Sequence, residues 1–483
     1  MNTKLETQKG KMFLAGRWVS REETIDVRNP QNGEKIASVA KASREDMRYA
    51  IELGQETFDS LGKWPVHQRI AVLKRVSQLL LENQEDFART IALEGSKTIN
   101  EARGEAKRAA QTLEIAAEEA RRIQGETINF DQNEGSENRI GYYYYSPVGV
   151  VGAITPFNDP LNLVAHKVGP AIAAGNAIVI KPASSTPLSA LKLAQIFSEA
   201  GLPDGMLSVI TGSGGEVGDE LVSHPYVKAV SFTGGTDTGK EIKEKTGTKQ
   251  VSMELGSNSP VIVLADADLE DAVDSSVDGA FAAAGQNCIG VQRVYVEEAI
   301  YADYVEKFTA ATNRLTTGDK LSEDTDMGPL ITEGEAKRVE GLIEEAVSLG
   351  AEIATGGKRN GAFVEPTVLV NVSPEATIAK EEIFGPVVML ESVPDLKAAV
   401  KRANDVDYGL HAGIFTNNLN NAHYAIEHLN VGGVMVNDSS DYRIDAMPFG
   451  GTKQSGIGRE GVKFAIELMT EKKVVNFKLN APF

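Results

Sequence analysis

Along the first 125 positions, hydrophobic residues recur at spacings of three and four. REDMRYAIELGQETFDSL (44–61), HQRIAVLKRVSQLLLENQEDFARTIALEG (67–95) and SKTINEARGEAKRAAQTLEIAAEEARRI (96–123) each place an apolar stripe on one helix face. Asp131 to Asn138 is polar and turn-rich. NRIGYYYYSPVGVVGAITPF (138–157) follows, β-branched and aromatic around a proline, and predicts one or two strands. The pattern then alternates. AIVIK (177–181) predicts a buried strand, and TPLSALKLAQIFSEAG (186–201) a helix with Thr186 as cap, Pro187 at the first helical position and Gly201 as stop. MLSVITG, a helix from about Glu216, KAVSFTGG, a helix from about Thr236 and VSMEL complete a βαβ rhythm, which predicts an open, mainly parallel sheet. A second such series runs from SPVIVL (259–264) to VGGVMVND (431–438). The tail KKVVNFKLNAPF predicts a lone strand with no partner beside it, of the kind that pairs with another subunit.

Composition narrows the class. A chain of 483 residues exceeds one compact core, so two or three domains are expected. The net charge of −19 disfavours a nucleic-acid surface. One cysteine cannot form an internal disulfide, which fits a reducing, cytoplasmic compartment. The opening MNTKLETQKGKMFLAGRW lacks the apolar core of a signal peptide, and no apolar run is long enough for a membrane span. Neither a membrane nor a metal is expected.

Three features could carry chemistry. Cys288, the single cysteine, sits between small residues and a strand-like run in GAFAAAGQNCIGVQRVYV (279–296), where a buried filler and a nucleophile are both consistent readings. SFTGGTDTGKEI brings Gly234, Gly235 and Gly239 to a strand–turn–helix junction that could cradle an anion, although it is not the strict dinucleotide fingerprint. Lys181 and Glu254 each close a predicted strand, where ligands sit in open α/β sheets. Taken singly, the lysine is equally a solvent-exposed side chain and the glutamate equally a cap.

Together these segments resemble the aldehyde dehydrogenase superfamily over almost the whole chain. The matching pieces stand in family order: ITPFNDPLNLVAHKVGPAIAAGNAIVIKPAS, SFTGGTDTGKEI, MELGSNSPVIV, GQNCIGVQRVYV, EEIFGPV, NDVDYGLHAGIFT and MPFGGTKQSGIGREG. The resemblance implies the α/β fold of that family: a Rossmann-like NAD(P)-binding domain (1–125 and 141–254), a catalytic domain (255–435) and an oligomerisation element (126–140 and 465–483). It implies a homodimer or homotetramer. It makes Cys288 the nucleophile that forms a thiohemiacetal and then a thioester, Asn158 the oxyanion donor beside the Cys288 N–H, and Glu254 the base that activates water. For NAD or NADP it implies contacts from Thr155, Lys181, Gly234, Gly235, Gly239, Leu255, Glu382 and Phe384. Ser184 stands where NAD-preferring members often carry a glutamate that repels a 2′-phosphate, so use of either cofactor is expected.

Two departures from the pattern are Asp159, where an aromatic residue or histidine is usual, and Ser257, where a second glycine is more usual. Within the superfamily the likeness runs to lactaldehyde, sulfolactaldehyde and phosphonoacetaldehyde dehydrogenases. Succinate semialdehyde dehydrogenases carry arginines that align with His166 and Ala282 here, which argues against that substrate. Arg443 and His166 are the cationic candidates for a substrate's anionic group. The expected reaction is NAD(P)-dependent oxidation of a short hydroxyaldehyde, of the lactaldehyde or 3-sulfolactaldehyde type. Succinate semialdehyde or phosphonoacetaldehyde oxidation, a CoA-acylating enzyme and a non-catalytic binding protein are the alternatives.

Overall fold

The computed structural model describes residues 10–480. Most of the opening segment and the last three tail residues fall outside that range. The four long helices expected in the first part are present as Arg44–Leu61, Val66–Glu82, Gln84–Glu94 and Ile99–Glu119. Two begin with reciprocal capping boxes, Ser43 with Asp46 and Thr98 with Glu101, in which each side chain satisfies a backbone N–H of the other residue. The pattern had not announced the short strands that precede them. Lys11–Leu14 and Arg17–Ser20 form a hairpin on the edge of the first sheet, and Thr24–Arg28 pairs with Lys35–Ala40.

The first sheet is the expected open one. Its five central strands are parallel and run Leu207–Val209, Ala177–Lys181, Val150–Ile154, Val227–Thr233, Gln250–Glu254. In chain order that is 3-2-1-4-5, a doubly wound topology whose direction reverses between Val150–Ile154 and Val227–Thr233. Ligands bind at the carboxyl ends of strands flanking such a reversal. Helices cover both faces, so the central strands are buried almost throughout. The second sheet, parallel apart from its edge strand Glu352–Thr355, holds Thr367–Val370, Val387–Val393, Val291–Glu297, Ser259–Val263, His411–Phe415 and Gly433–Val436 in that spatial order.

Two local expectations need correction. The tail strand is partnered within the chain: Thr470–Lys478 pairs antiparallel with Arg139–Pro147 over nine residues, and Thr127–Ile128 adds a third strand. Ile140, Tyr142, Tyr144, Val474 and Phe477 stay exposed on this small sheet. The helix Leu188–Glu199 is not capped by Thr186. The buried Glu94 carboxylate, from a different helix, accepts the Leu188 and Ser189 N–H groups at 2.6 and 2.8 Å and satisfies two orphan donors. Sequence-local reasoning cannot see a cap that arrives from 94 residues away.

Candidate active site

Beyond Ile154 the chain runs into Thr155 and Asn158, and beyond Thr233 into Gly234, Gly235 and the helix Thr236–Thr246. Both exits lie at the topological reversal. Glu254 ends the next strand. Cys288 comes from the other half of the chain, between the helix Leu269–Phe281 and the strand Val291–Glu297. One cavity of about 570 Å³ gathers Asn158, Gly234, Gly235, Glu254, Leu255, Cys288, Glu382, Phe384 and Arg443 on its wall. Residues dispersed over 285 positions therefore share one space, which is what a reaction centre requires.

The turn before Cys288 is unusual. Ala283 and Ala284 both adopt left-handed backbone (φ 50° and 57°), followed by Gly285 at φ 69°. Left-handed backbone costs an alanine on the order of 1 kcal/mol or more. At Gly285 a side chain would also strike the Gly385 carbonyl oxygen, 2.1 Å from its Cβ position. Several bonds hold the turn. The Ala283 N–H donates to Glu101 Oε1 (2.6 Å), Gln286 Nε2 donates to the Ala283 carbonyl (2.9 Å), and Gln286 Oε1 accepts from Ile331 N–H (2.9 Å). Asn287 donates through Nδ2 to Asp441, and Ser440 Oγ donates to the Ile289 carbonyl at 2.8 Å. Cys288 is thus flanked by two anchored neighbours.

Charge around the thiol is tightly arranged. Burial pushes the Cys288 thiol up to about 12, with Arg443 pulling it down and Glu382, Glu254 and Glu460 opposing that pull. Glu254 is buried with both carboxyl oxygens unpartnered. Burial and then the neighbouring Glu460 hold its pKa well above the usual carboxylate range. Glu460 goes the other way. Burial works against its charge, but Lys167 and Arg443 outweigh that and hold it at about 2. Lys167 Nζ donates to Glu460 Oε1 (2.8 Å), Ser231 Oγ (2.9 Å) and Thr233 Oγ1 (2.8 Å), so this buried cation is fully satisfied. Two acids with opposed tendencies in one site are the pattern of an acid–base centre.

Arg443 faces the cavity and His166 does not. The Arg443 guanidinium lies 3.7 Å over the Phe449 ring and 3.6 Å from Glu460 Oε2, and its Nε has no partner. His166 sits behind it, fully buried, with Nε2 2.8 Å from Asp445 Oδ1. Burial, and then Arg443, push its pKa down, so at neutral pH it is an uncharged ring that donates to Asp445. The expectation of a cationic His166 at the substrate is corrected on that ground. Burial likewise opposes the charge on Asp445, but the His166 bond and Arg108 hold it well below the usual range. Asp159, the first departure, lines the cavity but is neutralised by an ion pair with Lys97, with Arg108 3.7 Å away. Ser257, the second, packs its hydroxyl on Ser259 (3.0 Å) and donates its N–H to Glu382 (2.8 Å).

Of the dinucleotide candidates, Thr155, Lys181, Gly234, Gly235 and Leu255 lie at the carboxyl ends of strands in the first sheet, whereas Glu382 and Phe384 precede the strand Val387–Val393 of the second. The helix Thr236–Thr246 starts at Gly235 with no side-chain cap, which leaves its first N–H groups for an anion. Leu255 packs against Gly239, where a Cβ would come within 2.4 Å of the leucine. The Lys181 amine is buried, donates to the Pro182 carbonyl (2.9 Å), and is lowered by burial to about 8. Ser184 is exposed and donates to the Gly212 carbonyl (3.0 Å). Thr155 Oγ1 is buried without a partner. Glu382 is raised by burial to about 7, and Phe384 meets Phe157 edge to face at 5.8 Å. An uncapped helix and an unpartnered hydroxyl at the strand ends, with the half-neutral Glu382 carboxyl from the facing loop, fit a dinucleotide's phosphates and ribose hydroxyls.

Sequence reasoning missed Glu101, Lys167, Asp441 and Glu460. Lys167 left a signal, a lysine within the otherwise apolar NLVAHKVGPAIAA helix, and Glu460 stands in the quoted GIGREG segment. Glu101 left only the local T-x-x-E pattern of a helix cap, and Asp441 left none, because the contacts that bring both to the site come from distant chain.

The aldehyde dehydrogenase family model matches residues 18–475, and the chain belongs to that family. It is accordingly an NAD(P)-dependent aldehyde oxidoreductase. It is 45% identical over 468 residues to the 3-sulfolactaldehyde dehydrogenase of Priestia aryabhattai, covering 97% of this chain and 98% of that one. The lactaldehyde dehydrogenase of Methanococcus maripaludis is 40% identical over 468 residues, at 96% and 99% coverage. Aldehyde dehydrogenase 21 from Physcomitrella patens, solved with the reaction product succinate, superposes with a TM-score of 0.95 at 42% identity, covering 98% of this chain and 99% of that one. Glyceraldehyde-3-phosphate dehydrogenase from Methanocaldococcus jannaschii, complexed with NADP, gives 0.92 at 39% identity, with 95% and 100% coverage.

Proposed function

We propose that this enzyme oxidises a short 2-hydroxyaldehyde, of the lactaldehyde or 3-sulfolactaldehyde type, to its carboxylate. The observation that carries the reading is the shared cavity: Cys288, Asn158 and Glu254 meet there beside Arg443, a buried cation with an unused donor. The names of the two curated relatives support the substrate class.

Each side chain has a step. The Cys288 thiol gives its proton to water, its sulfur bonds to the aldehyde carbon as the C=O π bond opens, and the carbonyl oxygen becomes an oxyanion. The Asn158 side-chain amide and the Cys288 backbone N–H hold that charge. A bound nicotinamide would supply the acceptor for the hydride whose loss from the former aldehyde carbon leaves a thioester on Cys288. Thr155, Lys181, the uncapped helix at Gly235, Leu255, Glu382 and Phe384 would hold the dinucleotide. Glu254, once ionised, takes a proton from water, and the resulting hydroxide attacks the thioester, releasing the carboxylate and the Cys288 sulfur. Arg443 takes the anionic group of a charged substrate through its fork of donors.

The domain reading keeps the first sheet and its helices as the NAD(P)-binding unit, the second as the catalytic unit, and the small three-stranded sheet as the oligomerisation element. Its exposed Tyr142, Tyr144, Val474 and Phe477 support a homodimer or homotetramer. A lone free cysteine supports a cytoplasmic site of action. Succinate semialdehyde is the second reading, favoured by the succinate in the Physcomitrella structure and disfavoured by a neutral, buried His166 and by Ala282. A screen of lactaldehyde, sulfolactaldehyde, phosphonoacetaldehyde and succinate semialdehyde decides, each with NAD and NADP, with and without CoA, with the acid product quantified. Highest kcat/KM on a 2-hydroxyaldehyde without CoA is expected; highest on succinate semialdehyde, or a requirement for CoA, overturns the reading.

A further inference from the structure

The geometry points to Asp441 as the specificity-determining residue that accepts a hydrogen bond from the hydroxyl on the carbon next to the aldehyde. The inference rests on the hydroxyaldehyde reading above and assigns it a residue.

Asp441 lines the same cavity as Cys288 and Asn158. One of its carboxylate oxygens, Oδ1, accepts from Asn287 Nδ2, on the residue immediately before the nucleophile. Among the described residues the other oxygen has no hydrogen-bond partner, and Asp441 enters no ion pair. Two cations on the same wall, Lys97 and Arg108, are already engaged. Lys97 is paired with Glu105 and Asp159, and Arg108 with Asp445. Glu101, the other acid nearby, is taken up by its own helix cap and by Ala283.

The position is rigid. At Gly279 a Cβ would stand 2.8 Å from Ser439 Oγ and 3.1 Å from Asp441 Cβ, so this loop packs directly on the helix that leads to Cys288. Ser440 bonds to Ile289 while Asp441 bonds to Asn287, which ties the loop to both neighbours of the nucleophile. An oxygen fixed there is aimed by the fold rather than by a flexible side chain.

Substrate chemistry supplies the missing donor. Asn287 is the residue before Cys288, so a substrate bonded to the Cys288 sulfur shares its cavity with the Asn287–Asp441 contact. A hydroxyl on the carbon next to the former aldehyde carbon can donate to the free Asp441 oxygen. A methylene there leaves a partly buried carboxylate unpaired, which is a penalty against the analogue rather than a mere loss of gain. Burial pushes the Asp441 carboxyl up to about 7, with Arg108 drawing it down, so a donor from the substrate also relieves a costly charge. Arg443, two residues further along the same loop, is then free for a group one carbon further out. One loop thus reads two adjacent substrate positions.

The test compares kcat/KM for lactaldehyde and propionaldehyde, which differ only in that hydroxyl, in wild type, Asp441→Asn and Asp441→Ala. Wild type is expected to prefer lactaldehyde, and both variants to lose at least about tenfold of the lactaldehyde-to-propionaldehyde ratio. Asp441→Asn keeps an oxygen for Asn287, and alkylation of Cys288 by iodoacetamide reports whether the nucleophile loop is intact. A ratio preserved in Asp441→Asn, or an equal fall on both aldehydes, overturns the assignment and leaves Asp441 as a support for Asn287. A wild type with no preference for lactaldehyde sinks the hydroxyaldehyde reading itself. Should Asp441→Ala not fold, glycolaldehyde against acetaldehyde in Asp441→Asn gives a second pair, and the same two outcomes decide.

Discussion

The guanidinium carbon of Arg443 lies over the ring of Phe449, 3.7 Å from its centroid. Contact with the ring holds the cation at the cavity wall, and among the described residues its Nε has no hydrogen-bond partner. Arg443→Ala is therefore expected to cost about 1.5–3 kcal/mol more in kcat/KM for sulfolactaldehyde than for uncharged lactaldehyde, the worth of a hydrogen bond to a charged group. Steady-state kinetics on the two aldehydes measures it. An equal loss on both would show that the arginine only balances Glu460.

Glu254→Gln separates the two halves of the reaction. Acylation precedes the step that needs the base, so the variant should release a burst of reduced cofactor of about one equivalent and then stall. Rapid mixing with absorbance detection reads the burst directly. Steady turnover at the wild-type rate would remove Glu254 from hydrolysis.

The raised thiol sets a sign for pH. With the Cys288 thiol near 12, the thiolate is scarce at neutrality and grows about tenfold per pH unit below that value. Alkylation of the cofactor-free enzyme by iodoacetamide should accelerate about tenfold per pH unit, so about a hundredfold from pH 7 to 9, with no plateau. A plateau within that window would mean a thiolate already formed and a cation stronger than Arg443 beside it.

Cofactor choice can be moved at one position. Ser184 lies at the exposed end of the loop after Lys181 and brings no charge. Ser184→Glu should raise KM for NADP much more than for NAD, by a repulsion worth more than about 1 kcal/mol in a partly buried site. Equal changes for both cofactors would place Ser184 away from the ribose.

Much of this site was legible because its residues sit where strands end. Lys181 and Glu254 close strands that buried, β-branched runs announce, and Cys288 lies just ahead of a third. The illegible parts are those made by long-range contact. Lys11–Leu14 is too short to show a period, and it becomes a strand only by pairing with Leu207–Val209. Thr186 reads as a cap until Glu94 arrives from another helix. His166 reads as a cation until burial and Arg443 remove its charge. Asp441 reads as one acid in a polar loop until Asn287 meets it.

The bond between Glu101 and Ala283 spans 182 residues and joins the cap of an early helix to the left-handed turn ahead of Cys288. The thiol's placement is therefore not a property of the segment that contains it. A chain emerging from synthesis carries the helix of Glu101 long before the turn appears, so the receiving surface is waiting when Ala283 arrives. Conversely, a fragment beginning after residue 120 would contain Cys288 without the contact that shapes its approach. Proper reactivity at this sulfur is then a readout of assembly: the chemistry switches on only when the two halves have met.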